Sequence, residues 1–290
     1  MNNRAFNALL CPHCGLGFTP AAAHPPNITC AQGHSFDVAR QGYVNLLTGS
    51  GTKFASDTTA MVAAREAFLD AGHYLPLAQA LTTQVQQLLG AATEQNPALV
   101  VDAGTGTGWY LQQVCAALAV PVAAVGLDIS KYALRRAARR NPQAVSVVWD
   151  LWQPLPVHTG VADLVLVVFA PRNAAEFARI LKPEGALVVI TPTAAHLASM
   201  AREMGMLGIQ EGKEEALIQA LAQHFAPAGS TELEVPLELS PADVGNVALM
   251  GPAGHHLDAA ALKARLPQLP PVTKATAGFR ISVFRPAAAH

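Results

Sequence analysis

Cys11, Cys14, Cys30 and His34 form two close pairs, Cys-x2-Cys and Cys-x3-His, separated by a fifteen-residue loop. Thiolates and an imidazole at this spacing can wrap a zinc ion tetrahedrally. A stretch of about 40 residues buries too little apolar surface to fold unaided, so metal binding is expected to supply most of its folding free energy, on the order of 10 kcal/mol. Four protein ligands leave no open coordination position, which assigns this zinc to structure and not to catalysis. His13 and His24 fall outside the paired spacing and read as surface residues. Cys115 stands apart from the cluster and reads as a small core residue.

A second chemical signature is Val100-Val101-Asp102-Ala103-Gly104-Thr105-Gly106-Thr107-Gly108, a glycine-rich turn between an apolar strand and an apolar helix. Glycines there let the chain turn tightly and let a ligand approach the backbone at the carboxyl end of the first strand. Asp128 follows about twenty positions later, at the end of the second strand, where a carboxylate accepts hydrogen bonds from ribose hydroxyls. A nicotinamide dinucleotide fold would show the same features. Asp102 shifts the reading to S-adenosylmethionine, because a carboxylate at the strand tip suits the cationic amino-acid end of that cofactor and not a pyrophosphate. Asp150, ending the third strand, is expected on the adenine side.

The elements that must position these groups follow from the apolar pattern. Residues 1–47 are rich in Cys, His, Gly and Pro and form the expected zinc-binding module. Residues 48–92 read as a linker and helical bridge, with a loop from Thr48 to Asp57 and two amphipathic helices over 58–89 broken near Gly72-His73-Tyr74. Residues 93–290 read as the cofactor-binding domain. Short apolar runs at 99–101, 122–127, 145–149, 164–169 and 186–190 alternate with helical segments, which predicts parallel strands covered by helices on both faces. Two alternating strands, 232–239 and 279–284, fit an antiparallel pair at one edge. The expected fold is therefore α/β and Rossmann-like, the class I methyltransferase form with a seven-stranded, mostly parallel sheet.

Composition bounds the setting. The 290 residues are 51% hydrophobic and 13% charged, a balance that excludes disorder. No apolar run is long enough to span a bilayer, and Met1-Asn2-Asn3-Arg4 lacks the apolar core of a signal peptide, so a cytoplasmic protein without membrane partners is expected. A net charge of -1 argues against an all-over positive field but leaves local basic patches open.

The stretch Cys11-Pro-His-Cys14, Cys30-x2-Gly33-His34-x-Phe36-Asp37-Val-Ala-Arg40-Gln-Gly42-Tyr43-Val-Asn45-Leu, followed by Asp57-Thr-Thr-x-Met61-Val-Ala-Ala-Arg65 and Phe68-Leu-Asp70-x-Gly72-His73-Tyr74, resembles the RlmA family of 23S ribosomal RNA (guanine-N1)-methyltransferases. The likeness covers nearly the whole chain. Phe169-Ala-Pro171-Arg172-Asn173 and Met250-Gly251-Pro252 resemble its actinobacterial, tylosin-resistance (TlrB-like) branch. The resemblance implies methylation of guanine N1 in a 23S rRNA hairpin lining the peptide exit tunnel, where macrolides bind, and a homodimer. It implies zinc ligands at Cys11, Cys14, Cys30 and His34, and cofactor contacts at Tyr74, Gly106, Thr107 and His196. One departure is Gly254-His255-His256, where the family usually has a Trp shortly after the proline matching Pro252.

Guanine N1 becomes a nucleophile only as its proton leaves, so an acceptor or an oriented water is needed. Asp57, Arg172 and Asn173 are the candidate catalytic residues: the base or substrate clamp is expected from Phe169-Ala-Pro171-Arg172-Asn173, with Arg172 for the developing charge on O6 and Asn173 for the base edge, or from Asp57, unless it caps the following helix. Lys131, Arg135, Arg136, Arg139 and Arg140 crowd one helix, either as phosphate contacts or as a solvated face. Lys53 and Arg40 are further phosphate candidates. Two rival functions are a nicotinamide-dependent oxidoreductase with a zinc knuckle and a non-catalytic RNA-binding or assembly factor.

Overall fold

The computed structural model describes residues 2–19, 26–49, 51–90, 92–198, 200, 213–255 and 259–287. His24 and His256 lie outside them. The N-terminal part comprises helix α1 (Asn3–Asn7) and strands β1 (Asn27–Thr29), β2 (Ser35–Asp37) and β3 (Tyr43–Asn45). β1 and β2 pair as an antiparallel ribbon. Helices α2 (Thr59–Asp70) and α3 (Leu75–Leu88) follow, parted at Gly72, whose φ of 83° only glycine holds without strain. The Thr58 side chain accepts the Met61 N–H and caps α2, so the capping role weighed for Asp57 belongs to its neighbour.

From there strands and helices alternate: β4 (Ala98–Ala103), α4 (Trp109–Ala117), β5 (Val122–Asp128), α5 (Lys131–Arg140), β6 (Val145–Val148), β7 (Ala162–Val168), α6 (Ala174–Ile180) and β8 (Leu181–Pro192). Helix α7 (Lys213–Leu221), β9 (Phe225–Leu239), α8 (Pro241–Met250), α9 (Ala259–Arg265) and β10 (Thr273–Pro286) complete the order. The strands form one eight-stranded sheet in the order β3-β6-β5-β4-β7-β8-β10-β9. β3 to β8 run parallel, and β10 is antiparallel to both β8 and β9.

Every residue of β4 is buried, as a central parallel strand covered on both faces requires. One face packs Leu164, Leu166, Val188 and Ile190 against Phe68, Leu77 and Leu81 of α2 and α3. The other packs Val101, Val125, Val165 and Val189 against Phe6, Leu9, Leu46 and Phe177. The class I, mostly parallel architecture is thus as expected, with one addition. β3 pairs in parallel with β6, adding an eighth strand where seven were expected. Its physical basis is the burial of Tyr43 and Val44, which covers an edge that would leave β6 backbone groups unpaired. The N-terminal part is strapped on at two further points: Leu10 N–H donates to Pro156 O, and His158 N–H to Ala8 O.

Candidate active site and metal centre

The turn after β4 is built by backbone conformation. Gly104, Gly106 and Gly108 have φ of 86°, 55° and 72°. A Cβ at Gly104 would lie 2.2 Å from the Ala170 Cβ, so glycine is demanded by close approach of the β7 loop as well as by φ. The Gly104 and Thr105 amides donate to the Leu127 carbonyl oxygen, clamping the turn to the end of β5. Gly106 N–H donates to Asp128 Oδ2 at 2.8 Å and Ser130 N–H to Oδ1 at 2.7 Å. Each carboxylate oxygen keeps a free lone-pair direction for a ribose hydroxyl.

Asp102 is buried, and Oδ1 has no hydrogen-bond partner among the described residues. Burial is the chief reason its carboxyl is pushed up to about 7, and neighbouring Asp128 adds to it. The Thr107 and Tyr110 hydroxyls beside the turn are likewise buried and without partners among the described residues. Such orphaned polar groups are costly unless something polar arrives to satisfy them. The amino-acid end of S-adenosylmethionine, with its ammonium and carboxylate, fits that need. At the tip of β6, Asp150 accepts from Thr52 Oγ1 at 2.8 Å and Trp152 N–H at 3.0 Å, which folds the 51–57 loop over the strand end.

Across the turn stands an aromatic wall. Tyr74 and His196 each pack on Phe279 with ring centroids 4.9 Å apart, and Phe279 meets Phe169 at 5.8 Å, which in turn meets Tyr110 at 6.3 Å. Phe169 holds φ at 54°, a costly conformation for a residue with a side chain. The structure therefore brings Tyr74, His196 and the glycine turn to one region.

The candidate catalytic residues are placed less uniformly. Asp57 pairs with Arg65, whose Nη2 donates to the Met250 carbonyl oxygen, and His255 Nε2 lies 3.9 Å from the Asp57 carboxylate. Arg65 hangs over the glycine turn, 3.8 Å from where a Gly106 Cβ would be. Arg172 is half-buried without a hydrogen-bond or ion-pair partner among the described residues, and burial lowers the pKa of its guanidinium. Asn173 is engaged at both ends: Oδ1 accepts Glu176 N–H as the cap of α6, and Nδ2 donates to the Leu151 carbonyl oxygen. Sequence reasoning passed over Phe279, Tyr110 and the bridging role of Arg65.

In the ribbon, Cys11 Sγ and Cys30 Sγ lie 3.6 and 3.4 Å from His34 Nδ1, and Cys14 Sγ lies 3.6 Å from Cys30 Sγ. All four ligand atoms fall within 4.8 Å of one another. Tetrahedral Zn–S and Zn–N bonds of about 2.3 and 2.0 Å place ligands about 3.5 to 3.8 Å apart, so the donor set fits zinc. His13 is exposed and stacks on Phe36 with centroids 5.8 Å apart.

Comparison with known proteins bears on this geometry. Residues 9–49 match the family model described as the RlmA N-terminal zinc ribbon, and 100–185 match a methyltransferase domain model. The 23S rRNA (guanine(748)-N(1))-methyltransferase of Streptomyces fradiae is 43% identical over 286 residues, covering 99% of each chain. A Micromonospora griseorubida protein named for 23S rRNA guanine-N1 methylation is also 43% identical, over 96% of this chain and 97% of its own. The chain belongs to the RlmA family of 23S rRNA (guanine-N1)-methyltransferases. RlmA-family membership makes it an S-adenosylmethionine-dependent enzyme with a structural zinc ribbon, and the nicotinamide and non-catalytic readings fall away. Among solved structures, a chain from the complex of the Haloferax volcanii Trm112 methyltransferase activator with its methyltransferase matches with TM-score 0.51 at 16% identity, over 82% of this chain and 100% of its own, a likeness of fold alone. No helix among the described residues is long and apolar enough to cross a membrane.

Proposed function

We propose that this enzyme methylates N1 of a guanine in a hairpin of 23S rRNA that lines the peptide exit tunnel, with the nucleotide named for the S. fradiae relative, guanine 748, as its target. The observation that carries the reading is the buried Asp102 at the head of a glycine turn, its Oδ1 without a partner among the described residues, within a chain 43% identical to that relative over nearly full length. Modification at a macrolide site would contribute to tylosin resistance. The resemblance to the family further supports a cytoplasmic homodimer, with residues 1–47 as zinc module and RNA-positioning arm, 48–92 as bridge and 93–290 as catalytic domain.

S-adenosylmethionine supplies an electrophilic methyl group on its sulfonium. When bound, its ammonium would be held by Asp102, with Thr107 and the glycine turn at the same end, its ribose hydroxyls by Asp128, and its adenine side by Asp150. Tyr74 and His196 close the opposite wall. On the substrate side, Arg172 is free to pair with charge developing on guanine O6 as the N1 proton departs, and Asp57 is the proton acceptor, directly or through one water. Asn173 supports this loop by capping α6.

Unmodified 23S rRNA, incubated with enzyme and cofactor and mapped by primer extension, should acquire one strong stop next to the target guanine, since N1 methylation blocks Watson–Crick pairing. Absence of any stop with folded enzyme that binds S-adenosylhomocysteine would refute the proposal.

A further inference from the structure

We propose that Lys53, Phe54 and Trp152, with Tyr132 and Arg135 on the first turns of α5, form a stacking platform that holds unpaired nucleotides of the RNA beside the target guanine. This rests on the RNA reading above and says where the strand lies. Phe54, Trp152 and Tyr132 are 43%, 53% and 41% exposed, three of the four exposed Phe, Tyr or Trp side chains among the described residues, the fourth being Phe169 of the cofactor-side wall. Phe54 and Trp152 face each other with centroids 6.4 Å apart across an open cleft lined by Asp150 and Gln153. Lys53 Nζ stands 5.5 Å from the Phe54 ring centroid, and Arg135 Cζ 5.6 Å from that of Tyr132.

The platform is anchored from beneath. Thr52 bonds Asp150, Gln153 Nε2 donates to the Gly51 carbonyl oxygen at 3.2 Å, and Ser130 Oγ to the Asp57 carbonyl oxygen at 3.3 Å. The 51–57 loop is thus tied to the carboxyl ends of both β6 and β5, on the side of the sheet where the glycine turn opens. Thr52 and the Gly51 carbonyl are engaged by these bonds, while Lys53 and Phe54 remain exposed. On α5, Arg136 pairs with Glu66 and Arg140 with Asp70, while Lys131, Arg135 and Arg139 have no ion pair among the described residues. Exposed rings flanked by unpaired cations match a single strand, whose bases offer π faces and whose phosphates offer negative charge. Protein interfaces also use Trp, Tyr and Arg, so what selects RNA as the occupant is the place of the platform, tied to the strand ends beside the glycine turn in a family of enzymes that act on 23S rRNA.

The test uses the full enzyme and a fluorescently labelled 23S rRNA hairpin transcript carrying the target guanine. Phe54→Ala and Trp152→Ala should each weaken RNA binding by about fivefold to a hundredfold, while Phe54→Tyr and Trp152→Phe stay within about twofold of wild type. Lys53→Ala and Arg135→Ala should lower the slope of affinity against salt. Calorimetric affinity for S-adenosylhomocysteine should remain within about twofold in all variants, which also reports an intact fold. Unchanged RNA affinity in both alanine variants would overturn the platform, as would a parallel loss of S-adenosylhomocysteine affinity, which would make the cofactor's adenine the occupant. Methyl transfer by wild type to the same transcript keeps the two proposals apart: its absence counts against the function, and its presence with unaltered variants counts against the platform alone.

Discussion

The Tyr74 hydroxyl lies 3.4 Å from Nε2 of His196, whose Nδ1 faces the Gly278 carbonyl oxygen at 3.1 Å. A carbonyl only accepts, so Nδ1 carries the proton and Nε2 is left to accept from Tyr74. Burial holds His196 down to about 4, which keeps the ring neutral at physiological pH.

That pair gives the first prediction. The folded pKa lies below the unfolded one, so the contribution of neutral His196 to stability is complete above about pH 6.5 and is lost as pH falls toward about 4. Between pH 7 and 4, wild type should lose about 2 to 3 kcal/mol more in denaturant unfolding than His196→Gln. Equal losses in both proteins would show that the histidine is not held neutral by burial.

Asp102 predicts the opposite kind of profile for binding. With its carboxyl at about 7, the anion that attracts the cofactor's ammonium is only half formed at neutrality, and cofactor affinity should rise as pH increases through that value. Asp102→Asn should bind more weakly, by roughly tenfold or more at pH 8, with this titration absent. A calorimetric pH series on both proteins decides it; an unaltered slope in the variant would place the titrating group elsewhere.

Catalytic and supporting roles in the β7 loop separate by what each substitution changes. Asn173→Ala removes the α6 cap and should cost about 1 kcal/mol of stability. Arg172→Ala should leave the melting temperature near wild type, since the guanidinium has no partner among the described residues, yet lower turnover by about tenfold or more. Asp57→Asn should likewise reduce turnover with cofactor affinity retained. Wild-type turnover in both Arg172→Ala and Asp57→Asn would remove the catalytic assignments.

Zinc removal should unfold the ribbon selectively. A chelator, or Cys30→Ser, should release about one metal ion per chain and abolish RNA binding, while S-adenosylhomocysteine still binds the sheet domain. Metal release measured with a colorimetric dye, followed by both binding assays, tests this; RNA affinity that survives metal loss would contradict it.

How much of this was legible in the sequence depended on how locally each feature is determined. The four zinc ligands lie within 24 residues and the glycine turn within five, so spacing alone carries their geometry. The Gly72 break between α2 and α3 and the antiparallel closing pair also followed from local pattern. β3 did not, because three residues are too few to show periodicity and its partner lies about a hundred positions away. The aromatic wall was hidden for the same reason: Phe279 reads as an ordinary strand residue until folding sets Tyr74, His196 and Phe169 around it. Arg65 reaches Met250 across 185 positions, a contact no motif announces. Asn173 was legible as a polar loop residue, but its two occupied ends appear only in three dimensions.

The early pairing of β3 with a much later strand bears on how the chain is made. Residues 43–45 leave the ribosome before residues 145–148 exist, and α1 must also await the β5 it packs on. At about 5 to 20 residues per second, the nascent N-terminus waits several seconds for its partners. During that interval the metal is the available organiser, holding the knuckle closed until the sheet arrives to receive it.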